Sequence, residues 1–325
     1  MENQTQSTHF ILMGLTDQQE VQMVLFVFFF LLYLVTVLGN STIVCVVVTE
    51  TKLHTPMYFF LGNLSCLDIC YSTVILPKML SGFLLAHRRI SFVGCITQLH
   101  FFHFLGSSEA ILLAVMAYDR YVAICNPLHY PVIMCRRVCI LLAATTWTIG
   151  FFHALMHTVM TSQLHFCGPN IIKHFFCDIK PLLRLACSST QLNLSLLNVV
   201  TGSIVMIPFF LTLLSYLYII IFLLLKVKSH RGRWKAFSTC STHLTVVGLL
   251  YVPVLFNYLP PTSGDLPQRD MIATLMYSVV TSFLNPLIYT LRNQDMKSAL
   301  RKSLGRLLWR KEIKRNTSPD PARII

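Results

Sequence analysis

Residues 21–49 read VQMVLFVFFFLLYLVTVLGNSTIVCVVVT, a run without Asp, Glu, Lys or Arg. An α-helix needs about 20 apolar residues to cross the roughly 30 Å hydrocarbon core of a membrane. The run is long enough to do so, follows no basic segment and exceeds the apolar core of a cleaved signal peptide. It therefore predicts a membrane-spanning helix that stays in the mature protein.

Six further stretches share this apolar character. Four contain no charged residue, and two contain a single acid each. The six stretches are 57–76, which contains Asp68, 90–118, which contains Glu109, and 138–172, 185–225, 236–264 and 271–291. Only 12% of all residues are charged, about half the share in soluble domains. Because a helix satisfies its own backbone in lipid, we predict an all-α membrane protein, a seven-transmembrane helix bundle.

Basic residues are distributed unequally along the chain. Residues 1–20 contain no Lys or Arg, whereas most of the 26 basic residues lie in the segments on the opposite side of a seven-span bundle. Since basic segments tend to stay in the cytoplasm, we expect an extracellular N-terminus and a cytoplasmic C-terminus in the plasma membrane. The net charge of +13 is not gathered on one solvated face, so it does not indicate a nucleic-acid partner.

Four of the 11 cysteines fall on the expected outer side, where an oxidising environment permits disulfides. They are Cys95, Cys167, Cys177 and Cys187. The spacing leaves their pairing open, and four free thiols are the alternative. Two acceptor patterns for N-glycosylation also fall outside, at Asn3 and Asn193. We predict glycosylation at Asn3, since Asn193 lies close to the fifth span.

Five motifs, in order along the chain, carry a family resemblance. They are LHTPMYFFLGNLSCLD at 53–68, MAYDRYVAIC at 116–125, PLHY at 127–130, KAFSTCSTHL at 235–244 and LNPLIYTLRN at 284–293. Together they resemble the odorant (olfactory) receptors, a branch of the rhodopsin-like G-protein-coupled receptors. The resemblance implies a G-protein partner of the stimulatory, olfactory type. The run at 165–188 resembles the second outer loop of this family, which implies the bridges Cys95–Cys177 and Cys167–Cys187.

The resemblance also implies a switch at the cytoplasmic side. An arginine beside an aspartate at the end of the third span forms an ion pair that opens when helices separate. An ordinary charged helix end is the alternative. The residues implied in coupling and switching are Asp119, Arg120, Tyr121, Tyr216, Lys235, Asn285, Pro286 and Tyr289. Pro286 lacks a backbone N–H, so we expect a kink and a carbonyl left for other polar partners.

Asp68 and Glu109 are acids within adjacent spans. Acids in hydrocarbon are unfavourable, so both are expected to face the bundle interior, together with Asn40, Ser65 and Asn285. In related receptors the position of Asp68 binds sodium, and a second acid favours a cation or a shared proton. The alternative is a neutral hydrogen-bonded network. No other cofactor is expected.

The ligand class follows from an absence of charge. The outer part of the third span, 96–108, contains no acid, and the outer halves of spans five to seven contain no charge. Because an unpaired buried charge is heavily penalised, we expect a small, neutral, mostly apolar odorant. The predicted contact residues are Phe102, His103, Gly106, Ser107, Val200, Thr201, Ile204, Tyr251, Val254, Tyr258 and Ser278. Core packing is the competing interpretation for each of them.

Two histidine pairs share helical faces, His100 with His103 and His153 with His157. Packing explains such pairs more simply than a metal site does. A small-solute transporter is disfavoured because the spans show no internal repeat. An intramembrane enzyme is disfavoured because no nucleophile and base are paired, so we expect a receptor and not an enzyme.

The segments outside the bundle complete the domain organisation. We expect an extracellular segment at 1–20, the receptor domain at 21–291, and a short cytoplasmic amphipathic helix with a disordered end at 292–325. The apolar stripe of that helix, expected to lie on membrane lipid, is Met296, Leu300, Leu304, Leu307 and Leu308. Two departures from the family pattern, Ser282 and Pro253, put the bending of spans six and seven in question.

Overall fold

The computed structural model describes residues 9–84, 88–258, 266–303 and 305. Seven helical spans dominate these residues. The first four spans are Gln19–Thr49, Pro56–Leu84, Phe92–Cys125 and Arg136–Ser162. The fifth is Gln191–Lys226, the sixth is His230–Tyr258, and the seventh joins Leu266–Leu275 to Thr281–Arg292. The predicted seven-helix bundle is confirmed.

Length and hydropathy assign six of these helices as candidate membrane spans within the described chain. The sixth span contains a shorter apolar helix, Cys240–Phe256. Two of the predicted stretches were too long, because they included apolar residues that belong to loops. The fourth span ends at Ser162 rather than near residue 172, and the fifth begins at Gln191 rather than at residue 185.

A small sheet closes one end of the bundle and was not expected in an all-α protein. Strand β1 (His9–Leu12) lies between β2 (Arg89–Ser91) and β3 (Ile171–Ile172). The β1–β2 pair is antiparallel and the β1–β3 pair is parallel. Alternate residues of β1, Phe10 and Leu12, are buried, as the two-residue period of a strand requires. The segment before the first span therefore contributes to the core at this end.

Two prolines free backbone carbonyls, and each carbonyl receives a donor from a neighbouring span. Pro286 has no N–H to donate to the Ser282 carbonyl four residues earlier, and the Asn40 side chain donates to that oxygen at 3.2 Å. Pro253 similarly frees the Leu249 carbonyl, to which the Thr281 hydroxyl donates at 3.4 Å. The carbonyl that Pro286 frees is thus bonded to the first span, and the sequence predicted a polar partner for it.

π-Helical turns interrupt the fifth and seventh spans. They cover Leu197–Thr201 and Met276–Val280. A π turn inserts an extra residue into a helix and shifts the face that the following residues present. Both turns lie in spans that line a cavity shared with Phe102 and Tyr251.

Residues 294–303 form a further helix after the seventh span. Met296 is fully buried in the main hydrophobic core, and Lys302 Nζ lies 3.1 Å from Glu50 Oε2. The N-terminal part of the predicted amphipathic helix therefore packs against the bundle. Leu304, Leu307 and Leu308 lie outside the described residues, and lipid contact stays a prediction.

Candidate functional site

A cavity of about 90 Å³ opens between the spans near the Cys95–Cys177 bridge. Spans two, three, five, six and seven contribute to it, together with the segment that follows Cys177. Seven of the predicted contact residues line it: Phe102, His103, Gly106, Ser107, Thr201, Tyr251 and Val254. Sequence reasoning therefore located most of the side chains that the bundle brings together here.

Three predicted contact residues do not line this cavity, and a fourth is not described. Leu197, Thr201 and Val205 face the cavity at intervals of four residues. Val200 and Ile204 each precede one of these by a single residue, which turns them about 100° around the helix. Ser278 is fully buried and donates to the Thr274 carbonyl of its own helix at 2.5 Å. The side chain of Tyr258 lies outside the described residues.

The cavity is not free of charge, contrary to the expectation drawn from the spans. Asp178 and Lys180, from the segment after Cys177, belong to its lining. Asp178 Oδ1 lies 3.2 Å from His103 Nε2 and accepts a hydrogen bond from the Ile179 backbone N–H at 2.7 Å. The loop supplies this carboxylate, so a search of the helices alone missed it. The sequence offered one indication of this position. Asp178 follows Cys177, and the implied bridge from Cys177 to Cys95 brings this part of the loop to the third span.

The Asp178 carboxylate is held in its charged form. Burial opposes ionisation, but the hydrogen bond from His103, the charge interactions with His103 and His174, and the hydrogen bond from the Ile179 N–H together outweigh it and lower the pKa of Asp178 to about 2. The carboxylate is therefore ionised at neutral pH, with its charge already satisfied by protein donors. Tyr71 and Tyr277 add phenol groups to the same wall.

Hydroxyl groups and imidazoles connect spans three, four and five behind the cavity. His153 Nδ1 lies 2.7 Å from the Ser107 hydroxyl, and His153 Nε2 lies 2.9 Å from the Thr201 hydroxyl. His157 Nε2 lies 2.8 Å from the same Thr201 oxygen. The predicted shared face of His153 and His157 is present, and its partners are hydroxyls. Within the described ranges, no group of three or more His, Cys, Asp or Glu side chains is arranged to hold a metal ion.

The two buried acids lie deeper in the bundle. Asn285 Nδ2 donates to both Asp68 carboxylate oxygens, at 3.2 and 3.0 Å. Asp68 and Glu109 are each 1% exposed, so both face the interior as predicted. Glu109 Oε1 and Asn40 Oδ1 are buried and have no hydrogen-bond partner in the described part of the chain. Unpartnered carboxylate and amide oxygens are the kind of group that can bind a hard cation or, for the carboxylate, a proton.

The predicted switch residues meet at the opposite end of the third span. Arg120 and Asp119 form an ion pair with a 2.9 Å bond from Nε, and the Tyr130 hydroxyl donates to Asp119 at 2.7 Å. Nearby, the Tyr216 hydroxyl lies 2.6 Å from His243 Nδ1.

A small pocket brings the switch side chains of different spans together. Its lining includes Arg120, His243 and Tyr289. Tyr121 is half-buried and packs against Tyr218, with ring centroids 6.1 Å apart. The side chain of Lys235 is not among those described.

Both disulfides implied by the resemblance are formed. They join Cys95 to Cys177 and Cys167 to Cys187, with Cα atoms 5.4 and 5.8 Å apart. The first bridge fixes the loop that carries Asp178 against the third span. Asn3 precedes the described residues, so its glycosylation stays a prediction.

Seven spans, a cavity at one end and an Asp119–Arg120 ion pair at the other are features of the rhodopsin-like seven-helix fold. The fold is similar to that in the crystal structure of squid rhodopsin, with a TM-score of 0.70 over 90% of this chain and 87% of that chain. The identity of 16% makes this a likeness of fold alone.

The sequence comparisons are more specific. The olfactory receptor family model matches residues 29–306. Olfactory receptor 12D1 of Homo sapiens is 60% identical over 98% of this chain and 99% of its own length. Olfactory receptor 1f45 of Rattus norvegicus is 50% identical over 93% and 96%. The chain belongs to the olfactory receptor family. It is accordingly a multi-pass membrane receptor that senses odorants and couples to a G protein, and not an enzyme.

Proposed function

We propose that this receptor binds small, neutral, mostly apolar volatiles in the cavity near the Cys95–Cys177 bridge. Aromatic and aliphatic side chains form most of its walls, with a few hydroxyls, one imidazole and the charged Asp178 and Lys180, and small-molecule sites typically combine such apolar walls with a few polar groups. The single observation that carries the ligand class is the Asp178–His103 contact. Because the Asp178 carboxylate is already paired within the protein, it does not require a cationic ligand.

The proposed output is activation of a stimulatory, olfactory-type G protein and a rise in cyclic AMP. Ligand binding favours a state in which the Lys235 end of span six moves away from the third span. The Asp119–Arg120 pair, held also by Tyr130, is the contact that this movement changes. Arg120, freed from Asp119, then contacts the G protein together with the neighbouring pocket, which Tyr289 lines. Asn285 and Pro286, on the same span as Tyr289, are proposed to take part in the switch.

The proposed topology places the cavity in the extracellular half of the helix bundle. The N-terminus, with glycosylated Asn3, is extracellular, and the C-terminus is cytoplasmic. Asp68 and Glu109 form a site for sodium or for a shared proton between the cavity and the switch. The two unpartnered oxygens, Glu109 Oε1 and Asn40 Oδ1, support this proposal.

The function is tested by measuring cyclic AMP accumulation in cells that express the receptor against a panel of neutral volatiles. We expect concentration-dependent responses to some members, and Arg120→Ala is expected to reduce them at least about tenfold at equal surface level. A matched substitution outside the switch, Lys52→Ala in the short helical turn Thr51–Leu53, leaves the response unchanged. Responses that survive Arg120→Ala intact contradict the proposed coupling.

A further inference from the structure

A chain of four polar groups runs through the wall of the cavity. It starts at Ser107 in span three, passes through His153 to Thr201 in span five, and ends at His157 in span four, with separations of 2.7, 2.9 and 2.8 Å. Ser107 and Thr201 line the cavity, whereas the two imidazoles lie behind them and are 6% and 2% exposed. The cavity therefore presents hydroxyls whose hydrogen bonding is set by residues that a ligand does not reach.

The number of protons restricts how this chain is bonded. The Thr201 hydroxyl carries one proton and has two ring nitrogens within hydrogen-bond distance. If it donates to one nitrogen, it accepts from the other. A neutral imidazole donates a hydrogen bond at one ring nitrogen and accepts one at the other. All the donors along the chain therefore point the same way. Both histidines are neutral here, because their partners are hydroxyls and a buried charge without a counter-charge is heavily penalised.

Two complete bonding directions result. In the first, His157 donates to Thr201, Thr201 donates to His153 Nε2, and His153 Nδ1–H donates to Ser107. The Ser107 proton is then directed to the cavity. In the second, every bond is reversed, so Ser107 donates to His153 and offers only lone pairs to the cavity. Networks of this kind respond as a unit because each bond polarises the next.

We propose that this chain allows Ser107 to receive either a carbonyl or a hydroxyl ligand, with His153 as the positioning residue. The inference rests on the proposed function, that is, on a neutral ligand in this cavity. The ligand carries a single oxygen function that is received at Ser107. A ketone or aldehyde selects the first direction and accepts the Ser107 proton, whereas an alcohol selects the second and donates to Ser107.

His153→Phe separates this role from simple packing, because it keeps a ring and removes both nitrogens. Without His153, the Ser107 hydroxyl donates to a carbonyl of the preceding helical turn, as serines in helices commonly do. It then accepts from an alcohol but no longer donates to a ketone. His153→Gln keeps one donor and one acceptor, and is expected to preserve recognition of both.

The experiment measures cyclic AMP responses to straight-chain methyl ketones, to the secondary alcohols of the same skeletons and to the parent alkanes. We expect His153→Phe to change the alcohol-to-ketone potency ratio about tenfold in favour of the alcohols, and His153→Gln to restore it. The control is Thr146→Val in the same span. Thr146 is 1% exposed, and its hydroxyl donates to Leu142 of its own helix.

A second measurement needs no ligand. Thermal unfolding of purified Ser107→Ala, His153→Phe and the double variant forms a double-mutant cycle, in which a shared bond gives non-additive effects. Additive effects, or a potency ratio that stays the same in His153→Phe, overturn the inference while leaving the proposed function in place. Alkanes as potent as the oxygenated probes also overturn it. If no oxygenated probe activates the wild type while other neutral volatiles do, the ligand class inferred here fails and the proposed function stands; if no neutral volatile activates it, the proposed function fails.

Discussion

Gly150→Ala is expected to remove most of the receptor from the cell surface. A Cβ atom at Gly150 in span four would clash with the Ser108 hydroxyl and would lie 2.9 Å from the Phe104 carbonyl oxygen and 3.2 Å from the Ser108 backbone nitrogen. Two of these three atoms are backbone, so rotating a side chain does not relieve the contact. Spans three and four must separate, which we expect to lower the free energy of unfolding by about 3 kcal/mol.

Surface labelling and thermal unfolding of detergent-purified receptor measure this effect. Gly248→Ala is the matched control, since a Cβ there meets nothing within 4 Å. Combining Gly150→Ala with Ser108→Ala removes the closest oxygen and is expected to restore part of the loss. A Gly150→Ala receptor as abundant and as stable as Gly248→Ala contradicts the close packing of these two spans.

The two disulfides are expected to differ in importance. The Cys95–Cys177 bridge closes a sequence separation of 82 residues, and Cys167–Cys187 closes one of 20. On the chain-entropy model these contribute roughly 4–5 and roughly 3 kcal/mol to stability. The first bridge also holds Asp178 beside His103, so its loss displaces part of the cavity lining. Replacing both cysteines of the first pair by serine should therefore abolish surface expression and response.

The same double replacement at Cys167 and Cys187 is the comparison variant. We expect it to reduce surface level less and to leave the potency of surviving receptors nearer that of the wild type. Surface labelling together with concentration–response curves separates the two effects. An equal or larger loss for the Cys167–Cys187 pair would show that the cavity does not depend on the longer bridge.

Sequence reasoning located the spans because hydrocarbon imposes a strong and simple length requirement. It also predicted that Pro286 frees a carbonyl, since that result depends only on the missing N–H of proline. It did not identify Asn40 as the donor, because this partner lies 242 residues away from Ser282 in sequence. The freed carbonyl could thus be predicted from the sequence, whereas its donor could not, because the donor depends on how the bundle packs.

The residues of the cavity were likewise predicted only in part. Seven lining residues were predicted from the polar and apolar side chains of spans three, five and six, but two residues of span five, Val200 and Ile204, were assigned to the cavity although their immediate neighbours line it. The π turn at Leu197–Thr201 lies at this point, and no pattern in the sequence marks it. Asp178 was missed for a different reason, since a loop enters the cavity and the charge count of the helices does not include it.

We propose that the ligand occupies the cavity bordered by Val205. A substitution that fills this cavity with a larger side chain is the most direct test. Val205→Phe adds a ring to the lining, whereas Val199→Phe adds the same ring to a side chain that is 66% exposed on the same span. At equal surface level, we predict that Val205→Phe shifts the half-maximal agonist concentration upward at least about tenfold and that Val199→Phe does not. An unchanged curve for Val205→Phe would contradict the account.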